Sequence, residues 1–358
     1  MTRASRVASP PVLVEVLRGG RVESRHRGSA LVVSPDGSVV AAAGDPDQFI
    51  FLRSSAKPFQ LAPFVASGRF DDYDLGPEAL AIMAASHSGE DRHVRTVQEI
   101  LRRGGLSAAV LQNQVHPPYD VETARRMVRD GEQPSALRGN CSGKHAGMVL
   151  FAKASGWPIE TYWHPDHPVQ RLALETVSAL SDVPIEEIAT ATDGCGVVTF
   201  GMPLRGLAIA FARLADPSAV ADRTLGEALR RIRDAMMAHP ELVAGERRRI
   251  DTALMGALPG KIVSKGGAEG VLAMGLPPGA LPEDAPFGDG PVGIAATVED
   301  GNAAHRAGDA VSIELLRQVG LFESGLPANL EPYLHPAIVD PRGDPTGEVR
   351  PAFRLARA

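Results

Sequence analysis

Two lysines stand three residues after a residue that can attack or ligate: Ser54 and Lys57 in FLRSSAKPFQ, and Cys141 and Lys144 in GNCSGKHAGM. On a helix, a three-residue spacing puts both side chains on one face, one turn apart. A serine hydroxyl becomes a nucleophile when a neighbouring base takes its proton, and a lysine can be that base only when it is neutral. Burial and the positive end of a helix both favour the neutral amine. Pro58 suits a first helical turn, so Ser54 would project at a helix start. The alternative for the same residues is a helix cap beside a solvated lysine.

Lysine usage sharpens the question. Of 37 basic residues only five are lysines: Lys57, Lys144, Lys153, Lys261 and Lys265. The chain therefore draws its ordinary surface charge from arginine, which cannot give up its proton. A position that keeps lysine against this background is a candidate for proton transfer or ligation. Lys57, Lys144 and Lys265 each lie among serines, glycines or a cysteine, whereas Lys153 in LFAKASG reads as a helix-end charge.

Three further stretches can carry chemistry. ASHSGE places Ser86, His87 and Ser88 at the expected end of an apolar helix that runs toward Gly89. TDGCGVVTF places Asp193 and Cys195 on a glycine turn ahead of a β-branched run. Should Cys195 meet Cys141 in space, two thiolates and one nitrogen would make a zinc site with an open position; otherwise they are two small buried residues. SKGGAEG puts Lys265 and two glycines on a strand, similar to the lysine strand that penicillin-binding enzymes set beside their Ser-x-x-Lys helix. His145 adjoins Lys144. The prolines around His164 and His167 read as a helix-entry loop.

The elements that must position these residues follow from the patterning. VLVEVLRGG reads as a strand, and VESRHRGSALVVSPDGSVVAAAGD as a hairpin about Pro35-Asp36-Gly37. Helical patterns fill the middle: Lys57 to Val65, PEALAIMAASHSGE, EDRHVRTVQEILRRGG, VETARRMVRDG, KHAGMVLFAKASGW, HPVQRLALETVSALSDV and TLGEALRRIRDAMMAHP. Strand-like runs return in KIVSKGG, GVLAMGL and PVGIAATVED, then a helix in HRAGDAVSIELLRQVG and a tail ending in GEVRPAFRL. This predicts an α+β fold as one catalytic unit over 1–358. Residues 1–55 and 255–358 supply one antiparallel sheet from both chain ends, and 56–254 form a long helical insertion. Residues 276–291 read as a surface loop.

The formal net charge of −6, without a dense basic run, argues against a nucleic-acid partner. No apolar run reaches transmembrane length, and the N-terminus has two early arginines but no signal-type apolar core. A cytoplasmic location is the default expectation. Two cysteines make no disulfide framework.

Taken in order, RSSAKPFQ, ASHSGE, NCSGKHAGM, HPVQ, DGCG and VAGERRRIDTALM resemble the rhizobial-type L-asparaginase family across roughly residues 11 to 355. The resemblance implies a serine β-lactamase- and glutaminase-like fold and hydrolysis of L-asparagine to L-aspartate and ammonia. It implies two serine–lysine pairs, Ser54 with Lys57 and Ser86 with Lys265. It also implies a zinc site at Cys141, Lys144 and Cys195, and a homodimer. Arg53, His145 and Asp193 are the candidate substrate contacts, with Arg53 for the α-carboxylate and Asp193 for the α-ammonium. Ser54 is the expected nucleophile and Lys57 its base. The alternatives are a serine hydrolase acting on glutamine, a β-lactam or a peptide ester, and a non-catalytic zinc- or amino-acid-binding protein.

Overall fold

The computed structural model describes residues 9–301, 304–322 and 325–358. The two early arginines of the N-terminus lie outside the described residues. Twelve strands and twelve α-helices are present among the described residues. The strands are β1 (Val12–Arg18), β2 (Arg21–Val33), β3 (Val39–Ala43), β4 (Phe49–Phe51), β5 (Ala189–Thr192), β6 (Val198–Pro203), β7 (Val263–Ser264), β8 (Val271–Leu276), β9 (Val292–Val298), β10 (Ile338–Val339), β11 (Pro345–Pro351) and β12 (Ala356–Arg357). The helices are α1 (Lys57–Ala66), α2 (Pro77–Met83), α3 (Asp91–Arg103), α4 (Val121–Asp130), α5 (Ser142–Ala154), α6 (Pro168–Ser181), α7 (Leu204–Ala215), α8 (Arg223–Ala238), α9 (Pro240–Val243), α10 (Ile250–Ala257), α11 (Asp309–Gln318) and α12 (Glu331–Leu334).

The main sheet runs β10-β11-β1-β2-β9-β8-β7, with β3 and β12 added along β2, and every pairing is antiparallel. Strands from the first 43 residues thus interleave with strands from the last hundred or so, and the helices lie between them in sequence. The fold class is α+β with an antiparallel sheet built from both chain ends, as the patterning predicts. The long β2 changes partners midway: Val22 to Arg27 pair with β1, while Gly28 to Val33 pair with β9. Gly28 is required at the switch, because a Cβ there would lie 1.9 Å from the Thr297 carbonyl oxygen.

Three features depart from the sequence reading. A separate three-stranded sheet, β4-β6-β5, joins β4, which precedes the helical stretch, to two strands inside it. Helix α7, LRGLAIAFARLA, is not among the expected helices; it is buried except at its two arginines and packs on β8 and β9. In addition, α2 ends at Met83 instead of running on toward Gly89. The backbone N–H groups that would continue it are bonded elsewhere: Ser86 donates to Val243 O at 3.0 Å, and His87 to Asn140 O at 3.1 Å. The ASHSGE segment is therefore extended and threaded between two other parts of the chain. No described helix is long and apolar enough to cross a membrane.

Candidate active site

The chain enters the site from β4. Leu52 is tied to β6 by its N–H to Phe200 O at 2.8 Å, and Arg53 then takes a left-handed backbone with φ of 50°. Such a conformation is costly for a residue with a Cβ and is typically held where a side chain must be aimed. A short 3-10 turn, Arg53–Ala56, follows and leads into α1 with Pro58 in its first turn. The structure separates the two serines of this turn. Ser55 is buried and donates to Leu52 O at 2.6 Å. Ser54 is half-buried, and its hydroxyl has no hydrogen-bond partner among the described residues.

Lys57 is completely buried. Its Nζ donates to Ala85 O at 2.6 Å, to Ser86 Oγ at 2.7 Å and to Cys141 Sγ at 3.2 Å. Burial pulls its pKa below the ordinary lysine value, and the charge of Lys144 adds to that. The amine therefore bonds directly to Ser86, across the cleft, and not to Ser54 one turn back. Lys265 does not take up Ser86 either. Its Nζ donates to Gly266 O at 2.7 Å, and burial with the nearby Lys57 and Arg249 charges brings its pKa to about 7 against the pull of Asp251. The pairing that the structure gives is thus Ser86 with Lys57, with Lys265 as a separate buried amine. All three groups nevertheless share one interior, since Lys57 acts electrostatically on Lys265.

The second lysine spacing forms an adjoining cluster. The Cys141 and Cys195 thiols are close enough to hydrogen-bond to each other. That bond, with help from the Lys57 and Lys144 charges and against burial, holds Cys141 well below the usual thiol range, while Cys195 is pushed up. Lys144 donates to Cys195 Sγ at 3.0 Å. Burial opposes its charge, yet the two thiols and Asp193 keep its pKa above the ordinary value.

His145 is fully buried beside Cys195. Its Nδ1 lies 2.6 Å from the Tyr162 hydroxyl, which accepts from Gln112 N–H at 3.0 Å. The buried Tyr162 O–H must donate somewhere, so Nδ1 is the acceptor and the ring proton sits on Nε2. The His145 ring also reaches the Cys195 side chain, close enough to hydrogen-bond to it. His145 is thus a wall of the thiol cluster.

Asp193 and Arg53, separate in sequence, meet here: Arg53 Nε donates to Asp193 Oδ1 at 2.7 Å. The same oxygen accepts from Gly194 N–H at 2.8 Å, and Oδ2 lies 3.8 Å from Cys195 Sγ. Burial would raise the Asp193 pKa, but Lys144 and Arg53 together hold it below the usual carboxylate value. Asp193 thus aims Arg53.

As a metal site, the cluster offers two thiols in mutual contact, one of them drawn toward thiolate, and an amine 3.0 Å from the second sulfur. Among the described residues no group of three or more His, Cys, Asp or Glu side chains is disposed to hold a metal ion. Lys144 is the nitrogen beside the two thiols, and it would have to lose a proton that both sulfurs and Asp193 favour before it could ligate a metal. The donor set fits zinc in type.

The sequence reading missed Arg249, whose Nη2 donates to Ser86 O at 2.8 Å and Nη1 to Ser88 Oγ at 3.0 Å. It also missed Asp251, which accepts from Ser264 Oγ at 2.6 Å and from Gly266 N–H at 3.1 Å and so fixes the Lys265 strand. In VAGERRRIDTALM nothing marks Arg249 apart from its two arginine neighbours.

A family model described as L-asparaginase II matches residues 14–351. No curated protein matches the chain. Among solved structures, a probable glutaminase of Bacillus subtilis is similar at 13% identity and a TM-score of 0.39, covering 82% of this chain and 88% of that one. A Bacillus glutaminase crystallised in 4.3 M NaCl is similar at 13% identity and a TM-score of 0.38, covering 81% and 90%.

Proposed function

The chain belongs to the L-asparaginase II family, and on that premise we propose that this amidohydrolase converts L-asparagine and water to L-aspartate and ammonia with a serine nucleophile and a lysine base. The observation that carries the reading is Lys57. It is a fully buried amine with its charge disfavoured, bonded to one serine hydroxyl and one turn from another, half-buried serine.

In this reading Ser54 is the nucleophile, because it is the serine with a free hydroxyl that solvent reaches. Lys57 takes the Ser54 proton as Oγ attacks the side-chain amide carbon. The N–H groups at the start of the helical turn receive the developing oxyanion. The C–N bond then breaks, and the protonated amine, relayed through Ser86, delivers its proton to the departing ammonia. Water, deprotonated by the regenerated base, cleaves the Ser54 ester and returns the proton to Oγ. Lys265, near neutrality, assists that proton traffic. Arg53, aimed by Asp193, receives the α-carboxylate. Cys141, Cys195 and Lys144 would hold a zinc ion, which would supply a fixed positive charge that organises the polar end of the substrate.

A second reading gives the attack to Ser86, and the 2.7 Å Lys57–Ser86 bond favours it. The test is ammonia release from L-asparagine, L-glutamine and a β-lactam panel, with and without a chelator, followed by mass analysis of the acylated serine after acid quench. Release from L-asparagine with the acyl group on Ser54 is expected. The acyl group on Ser86 selects the second reading, and calorimetric asparagine binding without ammonia release would leave only a binding protein.

A further inference from the structure

Asp193 is occupied. Its Oδ1 accepts both Arg53 Nε and the Gly194 N–H, and its other oxygen faces a thiol. A free amino acid held by Arg53 through its carboxylate still brings an ammonium that needs an acceptor. Across the Arg53 guanidinium from Asp193 stands a second carboxylate, Glu269, with Oε1 3.8 Å from Arg53 Nη1. Glu269 and Arg53 line one cavity of about 560 Å³, which Gly194 also borders. At 3.8 Å the two side chains attract without a hydrogen bond, so the outer guanidinium nitrogens keep their donors for a ligand. Glu269 is 72% exposed and has room to turn toward an incoming group.

The backbone fixes this carboxylate at the mouth. Glu269 has φ of 59°, so both partners of the pair occupy left-handed conformations. Its turn is closed against Gly301, where a Cβ would lie 2.7 Å from Glu269 Cα. The charges therefore alternate along the mouth: Asp193, Arg53, Glu269. A zwitterion with adjacent carboxylate and ammonium is complementary to Arg53 and Glu269.

Building on the asparaginase reading, we propose that Glu269 is a specificity-determining residue that accepts the α-ammonium of the substrate, restricting the site to free α-amino acid amides. Without that ammonium, a ligand gains only the Arg53 contact.

The test measures KM and kcat for L-asparagine in the wild type and Glu269→Gln, together with the inhibition constant of succinamic acid, which keeps the amide and carboxylate but lacks the α-amino group. Glu269→Gln is expected to raise KM for L-asparagine about tenfold, the scale of one charge-assisted contact, with kcat within about twofold. The succinamic acid constant should stay unchanged. An unchanged KM, or an equal weakening of both ligands, overturns the assignment to the ammonium. A wild type that releases no ammonia from L-asparagine sinks the underlying reading instead.

Discussion

Two buried polar regions lie side by side in this molecule, and they are built on opposite rules. One is the interior of Lys57, Lys265, Lys144 and the two cysteines. The other is the histidine stack of His87 and His93, whose rings lie 4.7 Å apart and nearly parallel. In the stack every ring nitrogen is used. His87 Nδ1 accepts Gly89 N–H at 3.2 Å, so Nε2 donates to Ser142 Oγ at 2.9 Å. His93 Nδ1 accepts Glu90 N–H at 3.0 Å, so Nε2 donates to Glu241 O at 2.9 Å. Both rings are neutral, with burial as the main cause, and both serve to pin the ASHSGE segment to its neighbours. Nearby, Asp120 binds Arg247 in bidentate fashion and stays near pKa 2, a closed pair.

The lysine interior is different. Among the described residues no carboxylate forms an ion pair with Lys57 or Lys265, and their partners are a hydroxyl, two carbonyls and a thiol. Buried amines held this way are cheap to deprotonate, which is what a base requires. A satisfied buried group makes scaffold. A buried group with its charge disfavoured and a hydroxyl in reach makes chemistry.

The contrast can be broken at several points. Replacing Ser54 by alanine should have the largest effect, a loss of about a thousandfold or more in kcat with unchanged melting temperature, as removal of a covalent nucleophile does. Wild-type-like turnover would move the attack to Ser86. Lys265 should come next. With its pKa at about 7, it gains a proton as pH falls through neutrality, so kcat/KM should decline on the acid side of pH 7. Lys265→Met should lower activity about tenfold to a hundredfold and remove that limb; a limb that persists would assign the titration elsewhere. The histidine stack should register in stability alone. His93 is held at a pKa of about 4, below the ordinary 6.5, so the folded state favours the neutral ring. Its contribution is full above pH 6.5 and is lost as pH falls toward 4, for a total of about 3 kcal/mol. Denaturant unfolding between pH 7 and 4 should show this slope, and His93→Gln should reduce it while leaving the part due to His87; an unchanged slope would mean that the His93 ring is already charged in the fold.

The sequence made the sheet-from-both-ends plan legible because strand runs cluster at the two termini and helical periodicity fills the interval. It did not single out α7, a mostly apolar run after a glycine turn and a β-branched stretch, where a buried strand and a buried helix look alike. It pointed to the three chemically placed lysines through their rarity and small polar neighbours. It could not give the pairing. Ser54 and Lys57 are one turn apart on any helix, but where a long amine points depends on what lies across the cleft, and Ser86 arrives there only because α2 stops at Met83. The meeting of Arg53 with Asp193 likewise depends on β4 and β5 flanking β6, a long-range pairing with no local signature.

The central claim is that Lys57 works as a neutral amine. Lys57→Arg keeps the charge and forbids deprotonation, and Lys57→Met removes both, so the two are compared by ammonia release from L-asparagine, with near-ultraviolet circular dichroism confirming the fold. The account predicts that both variants lose at least about a thousandfold in kcat while remaining folded. A folded Lys57→Arg enzyme with turnover within about tenfold of wild type would contradict it.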